Sequence, residues 1–387
     1  CGGGDNPHTE LIKIEKSPDG IYKFDISRDA ESRQSIGGLD NVFDTVLITV
    51  AARRGGFAEI SLDKFEINAK YGYDEVIKRQ RKIADQIGAR YGVKPFVTTE
   101  ISGAGQHKNV FSTFVPVIDY EALGYSVSEQ AAIEHIKKHG GIFAYNHPLD
   151  NSALNKLGQI SREECERHVE NTAKRLIDAE VYGADLMEVA FPEGRRVFTF
   201  EDYLRLWDII NASGIFITAY GDSDSHHNDR NWFSGNNFAS WIGVSEELSY
   251  PVCEEELADS MRKGRVYMGD PVYLKFGVGF GADGVEMGSV VLSSRKGHEV
   301  RLKITDAKEK YKARIIADGV SVKESMADEL GELSVTYEYI SERPLGFVRA
   351  EVYNEEGRCI MLTNPIYFAK KGEFLGKIPE YRLYEIE

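Results

Sequence analysis

The sequence predicts an α/β domain followed by an all-β sandwich, and three observations carry that prediction. From about residue 41 to residue 220, short apolar runs alternate with amphipathic stretches, the pattern of βα units around a parallel sheet or barrel. After about residue 251 the texture changes to short β-branched and aromatic runs separated by glycine or charged turns, as in a sandwich. A length of 387 residues exceeds what one core usually supports, so two domains are expected. The expected boundaries are a polar tether over 1–20, an α/β domain over 21–250 and a β-rich domain over 251–387, its sandwich spanning about 265–370.

In the first domain, strands are expected at Val42–Val50, Lys94–Glu100, Gly141–Asn146, Asp185–Ala190 and Ile215–Tyr220. Between them, Tyr73–Tyr91 sets Val76, Ile83 and Ile87 on one face with Lys and Arg opposite, which makes an amphipathic helix. Helices are likewise expected at Glu129–His139, Arg162–Ala179 and Phe200–Ala212, with Gly140, Gly183 and Gly214 just past their ends. A short helix over Glu254–Lys263 opens the second domain, followed by strands at Val300–Thr305, Lys312–Ile316, Leu333–Ile340, Phe347–Tyr353 and Cys359–Leu362. The glycines between Gly277 and Gly288 precede neither a helix nor a GK[ST] end, so they form a turn of the β domain and no phosphate loop.

A net charge of -15 argues against nucleic acid or an anionic membrane surface as the main partner. Cys1 followed by Gly2-Gly3-Gly4-Asp5-Asn6-Pro7 resembles a mature bacterial lipoprotein. That resemblance implies a lipid on Cys1 and location at the bacterial cell envelope; since no run approaches the roughly 20 apolar residues that span a bilayer, Cys1 is expected to be the only membrane attachment. Cys165, Cys253 and Cys359 show no CxxC spacing, which points to free thiols and against a disulfide framework or a cysteine zinc site.

Chemistry concentrates where apolar runs stop. Gly214-Ile-Phe-Ile-Thr-Ala-Tyr220 ends in Gly221-Asp-Ser-Asp-Ser-His-His227, whose Asp222, Asp224, His226 and His227 are oxygen and imidazole donors suited to Zn, Mn or Fe. Gly141-Ile-Phe-Ala-Tyr-Asn-His-Pro148 closes on His147, and Lys94-Pro-Phe-Val-Thr-Thr-Glu100 closes on Glu100 before a glycine-rich loop leading to His107. If these strands are parallel neighbours, Glu100, His107, His147, Asp224 and His226 meet at one end of the sheet.

With these pieces in order, the chain resembles the PHP superfamily of metal-dependent phosphoesterases, in particular envelope proteins whose PHP barrel carries a C-terminal β-sandwich. The matching segments are Tyr71-Gly-Tyr-Asp74, Glu100 with Gly105-Gln-His107-Lys-Asn-Val110, Asn146-His-Pro148, Gly183-Ala-Asp-Leu-Met-Glu-Val189, Asp222-Ser-Asp-Ser-His226, Lys263-Gly-Arg265 and Thr363-Asn-Pro-Ile-Tyr367. The resemblance implies a distorted (β/α) barrel with metal ligands at Glu100, His107 and His147, and with Asp224 and His226 as further ligands or catalytic base. The sequence departs from the family at its start. No HxH pair exists, only His8 precedes His107, and Val50 and Ala51 follow Thr49 where a Thr-Asp-His motif would place two ligands. One or two divalent ions (Zn, Mn or Fe) are therefore expected instead of three.

Other candidates remain open between two roles. His135 and His139 have i,i+4 spacing, but Glu134, Lys137 and Lys138 beside them fit a solvated face. Glu188 ends a strand and is either a site group or a structural hydrogen-bond acceptor. Arg195 and Arg196 are candidates for an anionic substrate group. His227 and Trp232 lie on a polar loop suited to a substrate-contacting flap, where Trp232 either stacks on a ligand or plugs the barrel edge.

Two functions follow from different classes. One is a divergent metal-dependent hydrolase acting on a phosphoester or related bond through metal-activated water. The other is a degenerate lipoprotein that has lost catalysis and binds a glycan or phosphorylated ligand at the old site mouth.

Overall fold

The structure is a computed structural model that describes residues 73–101, 106–111, 128–150, 154, 160–189, 197–222, 238–244, 253–274, 276–306, 310–327 and 331–387. The chain divides into two compact units, Cys1–Val97 and Thr98–Glu387. In the first, α1 (Tyr73–Tyr91) occupies the range expected from its periodicity, with Arg79 Nε 2.8 Å from Glu75 Oε1 one turn away. Gly88 is required near its end, because a Cβ there would sit 2.5 Å from Pro95 Cδ as the chain folds back.

The second unit opens with a five-stranded sheet in the order β1 (Thr99–Ile101), β2 (Lys108–Phe111), β3 (Ile142–Tyr145), β4 (Leu186–Glu188) and β5 (Thr218–Tyr220). Its helices are α2 (Glu129–Lys138), α3 (Arg162–Asp178) and α4 (Phe200–Ala212). Ser128 caps α2 by accepting from Ala131 N, and Ser161 with Glu164 forms a capping box at the start of α3. β3, β4 and β5 are parallel and joined through α3 and α4, whereas β2 is antiparallel to both its neighbours. Buried Tyr145, Met187, Val169, Leu176, Leu206 and Trp207 form the core between this sheet and the helices.

The expected PHP-like distorted (β/α) barrel, closed in the manner of a TIM barrel, is corrected by this topology. Among the described residues the sheet is mixed and open, ending at β1 and β5, and eighteen strands stand against five α-helices. Only β3-α3-β4-α4-β5 follows the βα alternation on which the barrel expectation rested. The element that breaks the pattern is β2, where Lys108 takes an inward position usually held by an apolar residue. Its ammonium is fully buried, donating to Gln106 O at 2.5 Å and Glu129 Oε1 at 2.8 Å. A charged residue with such partners hides a strand from any reading of apolar alternation. The strand expected at Val42–Val50 lies outside the described residues.

The β-sandwich is present. After β6 (Ala239–Ile242) come α5 (Glu254–Arg262), β7 (Val266–Gly269), β8 (Gly277–Ala282), β9 (Val285–Glu286), β10 (Val290–Ser293), β11 (Gly297–Thr305) and β12 (Lys312–Ala317). The chain ends with β13 (Val320–Met326), β14 (Leu333–Ile340), β15 (Leu345–Tyr353), β16 (Cys359–Thr363), β17 (Ile366–Lys370) and β18 (Leu383–Ile386). One sheet has nine strands, with the path β18-β10-β17-β15-β16-β7-β6 and with β12 and β13 branching from β15; the other runs β14-β11-β8-β9. Val300, Leu302 and Ile304 of β11 alternate with exposed residues and meet Val348, Ala350 and Val352 of β15 in a shared core. The glycine-rich stretch is the β8–β9 hairpin, turned at Asp283-Gly284 with both residues at positive φ.

β15 is buried on both faces, and its second face meets α4 through charge. Arg349 Nε and Nη2 donate to Asp208 at 2.9 and 2.8 Å, while Nη1 donates to Glu351 Oε1 at 2.6 Å. Burial pushes the Asp208 carboxyl up; burial also raises that of Glu351, but Arg349 and the Tyr353 hydroxyl bring it below its ordinary value. None of the helices among the described residues is long and apolar enough to cross a membrane. Because Arg349→Ala strands two buried carboxylates, it should destabilise the protein by about 3–5 kcal/mol, measured by urea unfolding.

Candidate metal centre

Strand direction assembles the site. With β2 reversed between β1 and β3, the end of β1, the start of β2 and the ends of β3, β4 and β5 all reach the same edge of the sheet. The register places Glu100 opposite Asn109, Lys108 opposite Tyr145, and Glu188 opposite Tyr220. His107 immediately precedes β2, and His147 lies two residues past the end of β3, with the intervening Asn146 N–H donating to His107 O at 3.0 Å.

The donor atoms of Glu100, His107 and His147 all lie within 4.8 Å of one another, forming the one such group of three or more among the described residues. His107 Nδ1 is 2.8 Å from Glu100 Oε1, and the two imidazoles meet edge to face with centroids 4.8 Å apart. Donors bonded at about 2.1 Å to one ion are separated by at most about 4.2 Å. Closing the triad around an ion therefore takes only a small side-chain adjustment. Glu100 and His107 can supply it, since each side chain is 41% exposed, whereas His147 is buried. Two nitrogens and a carboxylate oxygen are the donor types of zinc sites that keep a position for water.

A buried polar frame surrounds His147. The Gln106 amide donates to His147 O at 2.7 Å and to its Nδ1 at 3.0 Å, and Asp150 Oδ2 lies 3.8 Å from the same nitrogen. Glu188 Oε2 accepts from the His147 main-chain N–H at 2.5 Å. Tyr220 donates to Asn146 Oδ1 at 2.9 Å, and the Asn109 amide reaches Tyr220 Oη at 3.1 Å and Asp222 Oδ2 at 3.4 Å. Burial, then the negative charges of Asp222 and Glu188, pushes the Tyr220 hydroxyl well above its ordinary value, so it remains a neutral donor.

Of the expected site residues, Glu100, His107 and His147 are thus brought together. Asp224, His226, His227, Trp232, Arg195, Arg196 and the lipidation candidate Cys1 lie outside the described residues. His135 and His139 do approach, with ring centroids 4.6 Å apart, on an exposed helix face. His298 is buried in the sandwich, its Nδ1 2.6 Å from Asp283 Oδ2. Sequence reasoning missed Gln106, Asn109 and Tyr220 as site groups. For Asn109 the available signal was its place between buried Lys108 and Val110, which becomes legible once β2 is recognised as a strand.

No family profile matches the chain, and no curated protein does. Solved structures similar to parts of it include fibronectin(III)-like modules of Clostridium thermocellum CbhA, at 11% identity over 24% of this chain and 96% of that one, with a TM-score of 0.17. A CARDB domain from Pyrococcus furiosus, in complex with di-metal ions, is 17% identical over 25% of this chain and 94% of its own, with a TM-score of 0.18. An engineered protein reaches 54% of this chain and 46% of its own at 12% identity and a TM-score of 0.18. Likenesses at this level carry no argument about the site.

Tyr220→Phe removes the donor to the buried Asn146 Oδ1 while keeping the ring. A loss of about 1–3 kcal/mol in urea unfolding is expected.

Proposed function

We propose that the chain binds one divalent transition-metal ion through Glu100, His107 and His147 and hydrolyses a phosphoester or related bond at that centre. The observation that carries this reading is the convergence of three donors of two chemical types at one sheet edge. Structural zinc sites close their shell with four protein ligands, whereas catalytic ones leave a position open, and the half-exposed Glu100 and His107 support the second arrangement. When bound, such an ion acidifies water and polarises a phosphoryl oxygen. The protein's part is positional: His147 is the buried, fixed donor, and Glu100 and His107 close on it from the exposed side. The choice of a phosphoester rests on the PHP-type motifs of the sequence.

Elemental analysis of protein purified without added metal, followed by calorimetric titration with Zn and Mn, tests the first half. One ion per chain is expected, with binding abolished in Glu100→Ala and His147→Ala. A phosphodiesterase and phosphomonoesterase screen with the same metals tests the second half, and His147→Ala should abolish any turnover. Absence of metal uptake, or turnover unchanged by His147→Ala, would overturn the reading. Metal uptake without turnover on any ester would reduce it to a binding protein.

A further inference from the structure

We infer that Glu188 is a positioning residue for this centre, acting on the metal ligand His147 through its main-chain amide. The inference rests on the metal reading above. His147 has φ of 28°, in the left-handed region that non-glycine residues rarely occupy. Pro148 follows it directly, and a residue before proline is biased toward extended backbone. Conformations of this kind cost of order 1–3 kcal/mol and persist only where surrounding contacts over-determine them.

Those contacts are present on both sides of the residue. The His147 carbonyl accepts from Asp150 N at 2.9 Å and from the Gln106 amide at 2.7 Å. Its N–H donates to Glu188 Oε2 at 2.5 Å, a charge-assisted bond inside the protein. Glu188 is 1% exposed, and burying a carboxylate is costly unless it is hydrogen-bonded. It is not one of the three donors, and its bond to the backbone of His147 links it to the site. As the last residue of β4, it is anchored by pairing with Tyr220 of β5 and gives His147 a rigid reference. Groups that orient a ligating histidine usually bond to its ring; this one bonds to the peptide that aims it.

The test compares zinc affinity in wild type, Glu188→Ala and Glu188→Gln, with thermal unfolding as the control for folding. Glu188→Ala should weaken zinc binding about 10–100-fold, the usual effect of losing an orienting partner. Glu188→Gln should recover most of that loss, because a carboxamide oxygen still accepts from the His147 N–H. Amide hydrogen exchange at His147 should be slow in wild type and in Glu188→Gln. Zinc affinity unchanged in a folded Glu188→Ala overturns the inference alone. So does Glu188→Gln losing as much as Glu188→Ala, which would make Glu188 a ligand. If Glu188→Ala does not fold, rapid exchange of the wild-type His147 amide overturns it. Wild-type protein that takes up no zinc overturns the metal reading itself, and with it the role given to Glu188.

Discussion

Among the described residues β5 ends its sheet with a buried edge that must be satisfied, and the side chain of Asn364 does it. Thr218 and Tyr220 turn their main-chain groups toward β4, leaving those of Ala219 directed outward. Asn364, between β16 and β17, accepts from Ala219 N at 2.8 Å and donates to Ala219 O at 2.8 Å and Val266 O at 2.7 Å. One amide thus stands in for a neighbouring strand, meeting the requirement that buried backbone groups be paired. Beside it, Thr218 Oγ1 donates to Met261 O and accepts from buried Arg382, whose Nη1 also donates to Gly288 O. These bonds fix β5 against the nine-stranded sheet. They also fix Tyr220, through it Asn146, and hence the peptide that carries His147.

The same logic governs α4, the crossover between β4 and β5. Its Asp208 faces Arg349 and its Asn211 accepts from the Tyr367 hydroxyl at 2.8 Å, so polar groups secure a helix whose other face lies in the core. Buried ion pairs of this kind contribute little net stability, since desolvation offsets their attraction unless their geometry is well matched. For a helix that sets the spacing of two site-bearing strands, that geometric constraint matters more than the energy.

Legibility in the sequence followed the same division. Helices and sandwich strands were readable because their buried residues are apolar and periodic: Phe200–Ala212 and Leu333–Ile340 fall at the expected residues. Sheet order was not readable. A run of residues reports that a strand is buried, not which neighbour it pairs with, so four co-directional strands suggest part of a closed barrel although an antiparallel β2 lies among them. The site was partly readable for a related reason. Glu100, His107, His147 and Glu188 declare themselves by side-chain chemistry at strand ends, whereas the main-chain partner of Glu188 and that of Gln106 are encoded in no residue pattern.

The contrast in rigidity within the triad has a physical consequence. His147 is buried and held by bonds to its N–H, its carbonyl and its ring, whereas Glu100 sits on a three-residue strand and His107 immediately precedes the next one. Both are half-exposed, and the short β1–β2 pair that carries them has few buried apolar residues, Ile101 and Val110 among them. Local stability follows buried apolar contact, so this pair belongs to the less stable end of the unit. Binding free energy at a site that is only partly preformed is spent in part on ordering it. On the proposed reading, metal affinity therefore depends on how firmly β1 and β2 are paired as well as on the donors themselves. Substitutions at Ile101 or Val110, which touch no ligand, belong among those that weaken it.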